Sequence, residues 1–272
     1  MTHQNDITGL SHQGMSRRGL LKGAAGLPLV TSLASILASP ALAKLSAATA
    51  TEISIETSEL QLPVKASLFA PDVTPAPAVI LIHEWWGLND QIKSVGAELA
   101  KLGYLALCID MYGGDVATTP ERAMDLVGGV NEDAGVDTVK SWVNWLGANS
   151  LCTGKVASMG WCFGGGWSLE TAIEAEVDAS IIYYGRVTAP AERLAAISGP
   201  VLGHFASQDQ FINGPMVEGF EANMATASKE LTAHIYDADH GFANPTTARY
   251  DEEDAALAWE RSMAFLAKNI GP

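Results

Sequence analysis

Between Lys155 and Ala175 the chain must change from strand to helix within a few residues, and no other stretch constrains its fold as much. Lys155-Val156-Ala157-Ser158-Met159 is a strand-like run, and residues 167–175 have the spacing of an amphipathic helix. Gly160-Trp161-Cys162-Phe163-Gly164-Gly165-Gly166 lies between them. At the positions flanking the apex of so sharp a turn, only glycine is tolerated. The apex is Cys162. The turn lifts its side chain above the sheet edge, at the positive end of the following helix, where a thiolate is stabilised. A buried structural cysteine also fits a glycine-rich turn, so the rest of the chain has to decide.

A small-x-nucleophile-x-small pattern between strand and helix is the nucleophile elbow of α/β-hydrolases, here with cysteine in the serine position. The surrounding pattern suits that fold. Strand-like runs at 53–56, 64–69, 78–82, 104–109, 155–159, 179–183, 201–206 and 231–236 alternate with helical stretches at 91–102, 133–146, 165–175, 191–197, 215–227 and 252–268. This alternation predicts an α/β protein with a mostly parallel twisted sheet and helices on both faces. The first runs lack intervening helices and suggest an antiparallel edge. Segment 113–129 is the only sizeable insertion near the elbow, too short for a large lid domain. The acidic cluster Asp251-Glu252-Glu253-Asp254 opens a helix, where negative charge suits the dipole. Gly164-Gly165-Gly166 lacks a following Lys-Ser/Thr, which argues against a phosphate-binding loop.

A cysteine nucleophile needs an acid and a histidine further along the chain. His204 and His234 lie inside apolar strand-like runs and read as core or face residues. His240 falls just past the last run, in Asp237-Ala238-Asp239-His240-Gly241-Phe242, and Asp209 falls just past the preceding one, in Ser207-Gln208-Asp209-Gln210-Phe211. Cys162, Asp209 and His240 thus all stand beyond the carboxyl ends of strands, where open α/β sheets place their sites. Upstream, the strand at 78–82 runs into His83-Glu84-Trp85-Trp86-Gly87-Leu88-Asn89. The loop after this strand supplies one oxyanion-hole amide and the residue after the nucleophile supplies the other, which selects the backbone N–H groups of Trp85 and Phe163. Glu84 is an ionisable group beside two tryptophans at an apolar strand end, where desolvation perturbs a pKa; a solvated loop carboxylate is the competing reading. His83 and Glu84 point to opposite faces, and no third ligand stands nearby, so no metal site is expected.

With these residues in place the chain resembles the dienelactone hydrolase family, from about Leu68 to Leu266. The resemblance rests on His83-Glu84-Trp85-Trp86-Gly87-Leu88-Asn89, Ile109-Asp110-Met111-Tyr112, Gly160-Trp161-Cys162-Phe163-Gly164-Gly165, Tyr183-Tyr184-Gly185, Ser207-Gln208-Asp209 and His240-Gly241-Phe242. It implies a single α/β-hydrolase domain whose Cys162, His240 and Asp209 hydrolyse a small-molecule ester or lactone through an acyl-cysteine, without a cofactor. It also implies that Glu84 sits near the thiol and helps deprotonate it when substrate enters. Members that open dienelactones bind the substrate carboxylate with two arginines, at places that here read Gly113-Gly114 and Asn244. The bidentate clamp of arginine is missing at both, with Arg186 and Arg249 as alternative cations. The pocket is therefore expected to prefer a neutral or apolar substrate, with Trp85, Trp86, Trp161, Tyr112 and Phe211 as candidate walls or substrate contacts. A binding or stress protein with little turnover on the same fold is the alternative, and a thiol redox role lacks a resolving cysteine near Cys162.

Ser16-Arg17-Arg18-Gly19-Leu20-Leu21-Lys22 is a twin-arginine pattern, followed by a weakly apolar run that ends in Ala41-Leu42-Ala43, an A-x-A signature. Residues 1–43 are expected to be a signal for the twin-arginine export machinery, and residues 44–272 the folded domain, in the periplasm or cell envelope. No other run is long enough to span a membrane. Net charge is −15. Residues 1–43 hold Arg17, Arg18 and Lys22 against Asp6, so the remainder stands at −17. Such acidity disfavours nucleic acid and anionic membrane surfaces as partners. Cys108 and Cys152 are expected near opposite ends of parallel strands, farther apart than the roughly 7 Å that a disulfide bridges.

Overall fold

The computed structural model describes residues 39–272. Eight strands are β1 (Thr51–Glu56), β2 (Pro63–Phe69), β3 (Ala76–Ile82), β4 (Leu105–Asp110), β5 (Cys152–Trp161), β6 (Ala179–Tyr183), β7 (Val201–Ala206) and β8 (Leu231–Tyr236). The helices are α1 (Pro40–Ala47), α2 (Asp90–Lys101), α3 (Pro120–Gly129), α4 (Glu132–Ala148), α5 (Phe163–Glu174), α6 (Ala191–Leu194), α7 (Gly214–Thr226) and α8 (Glu252–Asn269). They build one sheet of order β1-β2-β4-β3-β5-β6-β7-β8. Every pairing from β4 to β8 is parallel, and β2 joins both β1 and β4 antiparallel, giving the expected edge.

The uninterrupted apolar strands follow from burial on both faces. All of Ala76–Ile82 is buried. Because strand side chains alternate, Ile80 and Ile82 face one core with Trp142 and Leu146 of α4, Leu169 of α5 and Phe220 of α7. Val79 and Leu81 face the other, with Ile92 and Leu99 of α2 and Ala258 and Leu266 of α8.

Two helices were not anticipated. α3 lies inside the 113–129 insertion; Thr119 caps it by accepting from Arg122 N at 3.3 Å, and Pro120 preorganises its first turn. α1 packs along α2 and buries Ala43 and Ala47. Ala41-Leu42-Ala43, where the leader boundary was expected, therefore lies within α1. The twin-arginine pattern and residues 1–38 in general lie outside the described residues. At the other terminus Pro272 reaches Gly103, at the entry to β4, where a Cβ on Gly103 would stand 3.0 Å from Pro272 Cβ. All three cysteines are free, with Cys108 buried on β4 and Cys152 at the start of β5. No helix among the described residues is long and apolar enough to cross a membrane.

Candidate active site

The elbow forms as its glycines demand. Cys162 has φ +54° and caps α5, with its N–H donating to Tyr183 O at 3.0 Å. A Cβ on Gly160 would fall 1.9 Å from Gly164 O, and one on Gly164 would fall 2.1 Å from Ile82 O. Both obstacles are backbone. The apex therefore needs its glycines two residues before and two after Cys162.

Three loops from the carboxyl ends of β5, β7 and β8 converge. His240 Nε2 lies 3.2 Å from Cys162 Sγ, and His240 Nδ1 lies 2.7 Å from Asp209 Oδ2. Asp209 is itself fixed, because its Oδ1 accepts from Phe211 N at 2.7 Å and Ile212 N at 2.9 Å. With Nδ1 donating to the carboxylate, Nε2 is the atom that faces the sulfur. Burial alone would lower the His240 pKa, but the bonds to Asp209 and Cys162 outweigh it and raise it to about 10. Burial likewise opposes ionisation of Asp209, yet the His240 bond and the two amides leave its pKa lowered. The arrangement favours an imidazolium beside the Asp209 carboxylate.

The β3 end is organised by His83. Its Nδ1 donates to Glu84 O at 2.6 Å, and its Nε2 accepts from Met111 N at 3.1 Å. Glu84 O also accepts from Gly87 N at 3.1 Å. A trans peptide whose carbonyl is held this way turns the N–H of Trp85 to the opposite side. The N–H of Phe163, at the first position of α5, has no acceptor within its helix, the bonds to Cys162 O beginning with Gly165 N. Those are the two amides assigned to the oxyanion hole.

Full burial lowers the His83 pKa to about 4, although its bond to the Glu84 carbonyl resists this. The unfolded chain takes up this proton below about pH 6.5, whereas the folded chain waits until about pH 4. Stability should thus fall as the pH falls through that window, by about 2 kcal/mol at pH 5 from this ring. Urea unfolding of wild type and His83→Gln at neutral pH and at about pH 5 measures it. An identical pH-dependent loss in the two chains would remove His83 as the cause.

Glu84 is buried beside the site, but its carboxyl bonds elsewhere. Oε1 lies 3.1 Å from Tyr184 Oη, and Oε2 accepts from Asn244 Nδ2. Trp85 and Trp86 are half-buried with ring centroids 4.9 Å apart. Tyr112 donates to Trp85 O at 3.3 Å and packs on Phe163 at 5.4 Å. Phe211 is 66% exposed, with its ring 5.4 Å from that of His240. Of these rings, Tyr112 acts electrostatically on Cys162 and Phe211 packs on His240. Trp161 requires a correction: it is only 6% exposed and stacks on Tyr183 in the core, because the strand alternation that lifts Cys162 turns its predecessor inward. His204 and His234 take the core and face positions expected of them, His204 bonding Tyr236 Oη at 2.8 Å and Ser262 Oγ at 3.0 Å. Tyr184 and Asn244 stand at places the family resemblance already marked, but their bonds to Glu84 were not anticipated. Among the described residues, no group of three or more His, Cys, Asp or Glu is placed to hold a metal ion.

A sheet of this order, with an elbow after β5 and an acid and a histidine after β7 and β8, is that of an α/β-hydrolase. The sequence model described as the dienelactone hydrolase family matches residues 64–270. The carboxymethylenebutenolidase of Pseudomonas putida is 30% identical over 213 residues, which cover 73% of this chain and 88% of that one. Carboxymethylenebutenolidase 1 of Cupriavidus pinatubonensis is 26% identical, covering 74% of this chain and 90% of its own. The crystal structure of a dienelactone hydrolase-like promiscuous phosphotriesterase from metagenomic libraries superposes with TM-score 0.74 at 21% identity, over 82% of this chain and 100% of that one. The chain belongs to the dienelactone hydrolase family and is a hydrolase.

Proposed function

We propose that the chain hydrolyses a neutral or apolar carboxylic ester or lactone through an acyl-cysteine on Cys162. The observation that carries this is the continuous line from Cys162 Sγ through the His240 ring to Asp209 Oδ2, at 3.2 and 2.7 Å. The Cys162 thiolate attacks the carbonyl carbon, and the carbonyl oxygen becomes an oxyanion that the N–H groups of Trp85 and Phe163 receive. Collapse breaks the bond to the leaving oxygen, which takes the proton from His240. In a lactone that alkoxide stays tethered to the acyl group. His240, now neutral, removes a proton from water, and the water oxygen attacks the thioester carbonyl. The acid leaves and the sulfur recovers its electron pair.

The preference for uncharged substrate rests on the residues at the two places where a carboxylate clamp would stand. Asn244 is buried and directs its amide to Glu84, and Cβ atoms on Gly113 and Gly114 would meet nothing within 4 Å. Arg186 is exposed, and Arg249 acts electrostatically on Glu84. Purified protein should hydrolyse neutral p-nitrophenyl esters better than the anionic dienelactone, and the reverse order would overturn the assignment. Asp209→Asn should lower kcat by about a hundred- to ten-thousand-fold with a modest change in KM, since it frees the His240 tautomer. The twin-arginine pattern supports a further proposal, export of the folded domain to the periplasm or cell envelope, which fractionation of expressing cells would test.

A further inference from the structure

Glu84 is only 6% exposed, and both of its carboxyl oxygens are engaged by neutral groups. Asn244 cannot turn its amide round, because its Oδ1 already accepts from Thr246 N at 2.9 Å and Thr246 Oγ1 at 2.7 Å. Its Nδ2 must therefore point at Glu84. No salt bridge among the described residues reaches Glu84. A buried carboxylate without a bonded cation is costly and takes up a proton instead. Tyr184 suits that form, since a phenol donates to a carboxylate but equally accepts from a carboxylic acid.

The charges around this carboxyl point the same way. Tyr184, after β6, feels both Glu84 and Cys162, so the acid and the sulfur share one neighbourhood. His240 and Arg249 act on it from the loop after β8, and Asp209 stands behind His240. His83 and Tyr112, at the ends of β3 and β4, are neutral neighbours. A thiolate at Cys162 and a carboxylate at Asp209 already leave one excess negative charge against the His240 imidazolium. An ionised Glu84 would add a second and disfavour the thiolate. Burial raises the Glu84 pKa, against the opposing pull of Asn244, Tyr184, His240 and Arg249.

We propose that Asn244 and Tyr184 are positioning residues that hold Glu84 as a neutral acid, so that the resting site carries a Cys162 thiolate paired with imidazolium and Glu84 takes no proton from the thiol. This rests on the acyl-cysteine reading and gives it a resting charge state different from the one the family resemblance implies. The test is the rate of Cys162 alkylation by iodoacetamide against pH in the full-length protein, with Cys162→Ala as background for Cys108 and Cys152. Wild type should reach half its maximal rate below about pH 7.5, as a thiolate beside a cation does. A midpoint above about pH 8, the range of an unperturbed thiol, overturns the proposal without any variant.

Glu84→Gln should keep that profile and stay within about fivefold of the wild-type kcat/KM, the scale of one neutral hydrogen bond. A folded Glu84→Gln enzyme that loses about a hundredfold or more, the scale of a lost general base, would make Glu84 the thiol's proton acceptor and overturn the proposal. Ester hydrolysis that survives Cys162→Ala would instead overturn the acyl-cysteine reading, and the alkylation profile would still report the charge of the thiol.

Discussion

Cys162→Ala is expected to abolish ester turnover, lowering kcat by about four to six orders of magnitude, while the protein still folds. The size of the effect follows from the chemistry. Among the described residues the His240 ring bonds only Asp209 and Cys162, so the variant has only the oxyanion hole to offer an incoming water. The fold should survive because the side chain is half-buried and alanine accepts the same backbone as cysteine. Cys162→Ser should recover little, because a hydroxyl does not ionise against imidazole as a thiol does. A p-nitrophenyl ester assay with active-site titration measures both. Turnover by Cys162→Ala within tenfold of wild type would exclude the covalent mechanism.

Gly164→Ala should be as damaging to the fold as Cys162→Ala is to the chemistry. The added methyl would lie 2.1 Å from Ile82 O and 2.5 Å from His83 O, and neither atom belongs to a side chain that can swing away. Relief requires moving α5 off the end of β3, with loss of more than about 3 kcal/mol or failure to accumulate folded protein. Gly166→Ala provides the contrast within the same run. Its Cβ would meet Arg186 no closer than 3.7 Å, an ordinary contact, so replacing a helical glycine should stabilise by about 0.5–1 kcal/mol. Urea midpoints of the two variants should therefore move in opposite directions. Equal midpoints would mean that the elbow tolerates a Cβ where the geometry forbids one.

Much of this was legible in the sequence because the signals are local. Runs 179–183 and 201–206 coincide with β6 and β7, since buried parallel strands leave uninterrupted apolar stretches between turn residues, and run 231–236 coincides with β8 at the sheet edge. Cys162, Asp209 and His240 could be found because an open α/β sheet puts its chemistry one or two residues past a strand. α3 escaped notice although Thr119-Pro120-Glu121 is a start signal, because the ten residues of the helix bury only Ala123 and so lack an apolar stripe. The partners of Glu84 were harder still. Asn244 lies 160 residues away in sequence, and nothing around it in the chain distinguishes an amide aimed at a buried acid from an ordinary loop asparagine. Trp161 was misjudged for a related reason: proximity to the nucleophile in sequence does not tell which side of a strand a ring takes.

The contact between Pro272 and Gly103 has a practical side. Gly103 leads into β4 at the end where the parallel strands begin, and Cys162, Asp209 and His240 stand where they finish. A tag, a fusion partner or a solid support joined through Pro272 is thus attached at the pole facing away from the substrate's approach. Immobilised through Pro272, the enzyme would present its mouth to the solution, with the length of the parallel strands between chemistry and anchor.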